Sequence, residues 1–120
     1  MRTVPILVAS ALLASIGGAA NAAVLSSAPI EGYPSGQRLS CNIVNLNSMP
    51  RMVTIELLDY SGDVVVGDNF GLQPNQGQSL ASDSGWAAWC RFTVDGSARS
   101  YRAVAVYEDD GRYTTAIPAQ

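Results

Sequence analysis

Few side chains in this 120-residue chain could carry chemistry, and most of those are acids. Ten Asp and Glu face seven basic residues, all of them Arg, and there is neither His nor Lys. An imidazole proton shuttle, an imidazole metal ligand, a Schiff base and a Ser–Lys dyad are therefore closed to it. The serines lack a G-x-S-x-G elbow and a base to activate them. The eleven glycines are scattered at turns and build no phosphate-binding loop.

The acids gather at turns. Asp59, Asp63 and Asp68 flank one, Asp83 lies in a loop, and Glu108, Asp109 and Asp110 crowd another. Two carboxylates about 5–10 Å apart in a cleft would make a small hydrolase. Asp also favours turns simply because its side chain bonds the local backbone, and that accounts for these positions without catalysis. The Asp59–Asp63 and Asp109–Gly111 stretches offer hard oxygen ligands to calcium, yet neither matches a twelve-residue loop closed by a bidentate Glu. No catalytic residue, cofactor or metal is assigned. With a net charge of −3, no nucleic-acid partner is expected either.

Two cysteines remain, Cys41 and Cys90. They lack the C-x-x-C spacing and the basic neighbours of a redox pair, so they read as one structural disulfide. The chain-entropy model values a staple of this length at about 4 kcal/mol, and practice at about 2–4. Such a bond needs an oxidising compartment, and the first 22 residues supply a route to one. Arg2 is followed by an apolar run from Val4 to Ala14, then by small residues ending in Ala20-Asn21-Ala22. This is the pattern of a signal peptide cleaved before Ala23. The expectation is a periplasmic or extracellular protein with no membrane span once residues 1–22 are removed.

The elements that must position these groups read as β throughout. Residues 23–37, rich in Pro, Gly and Ser, read as an arm or linker, and residues 38–120 as one domain. In that domain short apolar runs are broken by turn residues every eight to twelve positions, as in an all-β sandwich. Seven strands are expected: Leu39–Leu46, Met52–Tyr60, Val64–Asp68, Gln78–Ala81, Trp86–Val94, Ser100–Glu108 and Arg112–Ile117. Together they predict an antiparallel two-sheet sandwich, immunoglobulin-like in architecture. The immunoglobulin fingerprint is missing, because both Trp closely precede Cys90 and position 88 is Ala rather than Tyr.

One surface stands out. If Asp95 to Ala98 is a hairpin loop, alternation places Trp86, Phe92, Val94, Tyr101, Ala105 and Tyr107 on the Cys90 face. Trp89, Arg91 and Arg102 then share the opposite face, and one register at Asp110-Gly111 adds Tyr113 with Thr115 and Ile117. An exposed cluster of Trp89, Arg91, Arg102 and Tyr113 would suit a protein or envelope partner. The expectation is a non-enzymatic binding or structural module. A carboxylate-based hydrolase and a strand-adding assembly subunit are the alternatives, and the oligomeric state is left open.

Overall fold

The computed structural model describes residues 22–29, 38–82, 86–109 and 112–120, with side chains at all of these except 109 and 112–114. The leader through residue 21 and most of the expected arm lie outside the described residues. Among the described residues eight strands form: β1 (Ala22–Ser26), β2 (Arg38–Asn45), β3 (Arg51–Leu58), β4 (Val64–Leu72), β5 (Gly77–Ser82), β6 (Trp89–Asp95), β7 (Tyr101–Asp109) and β8 (Arg112–Pro118). They build two four-stranded antiparallel sheets, a first in the order β1-β6-β3-β4 and a second in the order β5-β2-β7-β8. The two-sheet sandwich is as expected, with eight strands where seven were counted.

The eighth strand, β1, lies in the segment read as an arm. Its residues are small, and Leu25 alone is fully buried in the strand. Backbone pairing fixes it instead, from Ala22 opposite Asp95 to Ser26 opposite Arg91. Just beyond, the Ser27 hydroxyl accepts the Cys90 amide at 2.9 Å, so β1 ends beside the disulfide. The chain's C-terminal residues close the same side: Ser26 and Gln120 exchange two backbone hydrogen bonds, at 3.0 and 3.1 Å.

Period-two alternation builds the core. Val53, Ile55 and Leu57 of β3 and Phe92 and Val94 of β6 face Leu39, Ile43, Tyr101, Ala105 and Tyr107 from the second sheet. Burying each large apolar side chain stabilises the fold by roughly 1.5–3 kcal/mol. The two core tyrosines donate their hydroxyls across the sandwich, Tyr101 to the Asp95 carbonyl and Tyr107 to the Ala88 carbonyl. Cys41 on β2 is bonded to Cys90 on β6, so the staple joins central strands of opposite sheets.

The expected β6–β7 hairpin is replaced by a crossing. Gly96 adopts φ +90°, as a hairpin glycine could. Ser97 then caps a short 3-10 turn, Ala98–Ser100, which delivers the chain to the other sheet. At the same end the buried Asn45 amide donates to the carbonyls of Met49 and Leu72, both at 3.0 Å, and its oxygen accepts the Asn47 amide. One side chain thereby ties the β2–β3 crossing to the end of β4. The Ser61-Gly62 turn between β3 and β4 forms as read, with Gly62 at φ +88°.

Two of the edge strands, β4 and β5, carry features that oppose further pairing. Asp68 on β4 sits opposite the core residue Ile55 yet is exposed, and its carboxylate accepts the next amide, that of Asn69. A charge on the inward-facing side of an edge strand discourages a neighbouring sheet. On the second sheet the edge strand β5 is short, and Gln78, Ser79 and Ser82 make half of it polar.

Candidate functional site: the aromatic end of the first sheet

The four residues expected to share a face are divided between the two sheets. Trp89 and Arg91 point outward from β6 in the first sheet, and Arg102 points outward from β7 in the second. Tyr113 pairs with Glu108 beyond a register shift in β8, and its side chain lies outside the described residues. The reason is the crossing at Ala98–Ser100. Alternation correctly separates core from solvent on β6 and on β7, but their outer faces are the opposite outsides of the sandwich. Thr115 and Ile117, placed with Tyr113 in that reading, pair with the core positions Tyr107 and Ala105, because the register shift reverses their phase.

The outer face of the first sheet is occupied by its own contacts. Arg91 stands directly opposite Glu56 on β3, and its Nε donates to Glu56 Oε1 at 2.9 Å. That hydrogen bond is the main reason the guanidinium is held above its ordinary pKa, against a smaller opposing effect of burial. One strand row away the Thr54 hydroxyl donates to Asn69 Oδ1 at 2.6 Å. The Trp89 indole N–H donates to the Asp59 carbonyl at 3.0 Å, which half-buries the ring against the β3–β4 turn.

At that end β3 leaves the sheet, β4 enters it and β6 begins. Tyr60 lies at the tip of the turn, 56% exposed, and Val64 opens β4 at 47%. Trp86 was expected inside with Cys90. It precedes β6 instead and is 78% exposed, because the strand begins only at Trp89 and the intervening Ala87 and Ala88 take the buried positions. Alternation counted from Cys90 fails once the backbone is no longer a strand. Tyr60 was missed altogether. The signal was present in Asp59-Tyr60-Ser61-Gly62-Asp63, since a residue at a hairpin tip has no neighbouring strand to cover it.

Three acids of the first sheet and its β3–β4 turn are committed to the backbone or to arginines. Asp59 Oδ1 accepts the amides of Ser61 and Asp63, both at 2.9 Å, and so shapes the turn that presents Tyr60. Glu56 is engaged by Arg91, and Asp95 pairs with Arg51 at 3.4 Å. Among the described residues no group of three or more His, Cys, Asp or Glu is placed to hold a metal ion.

The outer face of the second sheet is different in kind. Two adjoining open grooves of about 550 and 580 Å³ run over it, and both are bordered by Asn42, Ser79 and Val104. The polar groups there satisfy one another: the Ser40 and Ser79 hydroxyls lie 3.1 Å apart, and the Asn42 amide donates to the Ser40 carbonyl. Arg102 spends Nη1 on the carbonyls of Arg99 and Tyr101 and forms no ion pair among the described residues.

No protein-family model matches this chain, and no curated protein matches it. Among solved structures, the crystal structure of Thermotoga maritima 1070 is similar, with a TM-score of 0.50 at 13% sequence identity. The match covers 81% of this chain and 91% of that one. At that identity the likeness concerns the fold alone.

Proposed function

We propose that this protein is a small exported binding module, without enzymatic activity, that engages a protein or envelope partner through the aromatic end of its first sheet. The observation that carries the reading is the exposure of Trp86 and Tyr60 beside the half-buried Trp89. Large aromatic side chains bury much area at little entropic cost, and exposed clusters of them mark binding surfaces. The shape of the surface is preset, because the Asp59 carboxylate orders the turn and Trp89 is hydrogen-bonded to it. Association then costs less ordering than a loose loop would require.

Export is part of the same proposal. The Cys41–Cys90 bond is compatible with an oxidising space outside the cytoplasm, and the opening residues carry the leader pattern. Cleavage before Ala23 would leave all but the first residue of β1 in the mature chain. The hydrolase alternative draws no support from Asp59, Glu56 and Asp95, which are committed to backbone or arginine partners.

Photo-crosslinking residues placed at Trp86, at Tyr60 and at Thr93 in the exported protein would test the site. Thr93 lies on the outer face of the same sheet, away from the turn. A defined adduct from positions 86 and 60 but not 93, formed in the native envelope fraction, is the expected outcome. Adducts no stronger at 86 and 60 than at 93 would remove the site. Intact mass of the exported form beginning at residue 1 would remove the export reading separately.

A further inference from the structure

From the outer face of the second sheet we infer a two-fold symmetric dimer of this chain, built face to face on β7. The outward residues of β7 are Arg102, Val104, Val106 and Glu108, with core residues between them. This series is self-complementary about Ala105. A two-fold axis lying in the interface across the strands turns a second β7 antiparallel to the first. Arg102 then falls opposite Glu108 of the second copy, and Val104 opposite its Val106. An axis along β7 itself would instead oppose Arg102 to Arg102, so for a contact centred on β7 charge selects the antiparallel arrangement. A closed two-fold contact uses the same patch twice, and here the patch supplies both halves of each ion pair.

The neighbouring strands permit the approach. The two middle rows across the sheet read Ser79–Asn42–Val104–Pro118 and Ala81–Ser40–Val106–Ala116, and the axis lays one row on the other. Small side chains dominate these rows, and no long charged group intervenes. Sheets packed in this way sit about 10 Å apart at an angle of about 30°. An arginine is long enough to cover the sideways offset that such an angle produces at the ends of β7. In register, Arg38 lies beside Glu108 and Val44 beside Arg102. Arg38 therefore falls opposite Val44 of the second copy, one strand from that copy's Arg102, with Glu108 adjacent to both arginines.

The same outer face of the first sheet fails this test. Its charges, Arg91 and Glu56, already neutralise each other within one chain. Arg102, by contrast, is exposed and forms no ion pair among the described residues.

From the strand spacing, the face measures roughly 20 Å by 20 Å, or about 400 Å² in plan. That is below the roughly 800 Å² per partner of a standard interface, so the dimer is a weak one. Sedimentation equilibrium of the disulfide-bonded protein, from about 10 µM to 1 mM, is the measurement. The wild type should pass from monomer to dimer within that range, and raised salt should weaken the association. Arg102→Glu and Glu108→Arg should each weaken it at least ten-fold while circular dichroism stays native. Mixed in equal amounts, the two variants should form a heterodimer, since every opposed pair is then of opposite charge, and the double variant should dimerise again.

A wild type that stays monomeric at 1 mM overturns the proposal. So does a dimer that survives both single substitutions, or two folded single variants that fail to associate on mixing. None of these outcomes bears on the aromatic end, which lies on the other sheet.

Discussion

The two outer faces of this sandwich have the same geometry and opposite chemistry. On the first sheet the polar outward side chains are engaged: Arg91 with Glu56, Thr54 with Asn69, and Trp89 with the Asp59 carbonyl. On the second sheet the middle of the face is short or aliphatic, with Arg38, Arg102 and Glu108 at its ends, and the charge at Arg102 is turned to local carbonyls. A solvent face that satisfies itself adds to the stability of the domain, and what it offers a partner is confined to its aromatic end. On the second sheet the Arg102 charge forms no ion pair among the described residues, so it adds little to folding and stays available. The difference is measurable as a gradient of substitution effects.

The largest effect should come from cutting the bond that holds the two sheets back to back. Replacing both cysteines, Cys41→Ser with Cys90→Ser, should cost about 2–4 kcal/mol by denaturant unfolding, because the unfolded chain regains the freedom of a long closed loop. Both sulfurs lie in the core, at 0% exposure, so part of the loss is packing rather than loop entropy. Alkylation of the native protein without reductant should label neither residue.

Next in size is Trp89→Ala. Full burial of such a ring would make the substitution cost roughly 3–5 kcal/mol. Trp89 is half-buried and its indole N–H is hydrogen-bonded, so about 1–2 kcal/mol is expected. Val104→Ala on the second sheet should cost less than Trp89→Ala in the same assay. If the order is reversed, the contrast between the two faces does not hold.

What the residues foretold about this contrast, and what they could not, has a physical basis. Alternation reports which side of a strand meets the core, and on β6 and β7 it did so correctly from Cys90 to Val94 and from Tyr101 to Tyr107. It says nothing of which strand lies alongside. Asp95-Gly96-Ser97-Ala98 has the composition of a hairpin loop, and the same residues also suit a capped 3-10 turn that changes sheets. Both conformations satisfy the local backbone. The choice is made by distant partners, β6 pairing with β1 and β3, and β7 with β2 and β8. The strand β1 was illegible for the complementary reason, since Ala-Ala-Val-Leu-Ser has little pattern of its own and is held by its neighbour's backbone. The disulfide, by contrast, followed from there being two cysteines.

A third test uses pH. Burial raises the Tyr101 phenol above its ordinary value, with Asp95 adding to the shift and Arg51 and Asn47 opposing it. The neutral phenol is therefore favoured by folding. Its contribution is complete below the unfolded value of about 10 and is lost as pH rises through the folded value. Stability should be insensitive to this group at neutral pH and fall in alkali. Tyr101→Phe should remove that part of the alkaline decline. It should also cost about 1 kcal/mol at pH 7, through loss of the hydrogen bond to Asp95. An alkaline profile unchanged in the Phe variant would show that other groups control it.

The smallest effects separate the faces most directly. Arg91 and Glu56 are partly exposed, so their pairing is worth little, and a double-mutant cycle of Arg91→Gln and Glu56→Gln should return a coupling of about 0.2–1 kcal/mol that shrinks in salt. Arg102→Gln keeps a side chain of similar reach and removes a charge that forms no ion pair among the described residues. At low protein concentration, where the chain is monomeric, it should change stability by less than about 0.5 kcal/mol, and independently of salt. The cycle and the single substitution together ask whether a charge on each face is already in use. If Arg102→Gln proved as costly and as salt-sensitive as breaking the Arg91–Glu56 pair, Arg102 would be a structural residue already in use within its own chain, with no charge to offer a second copy.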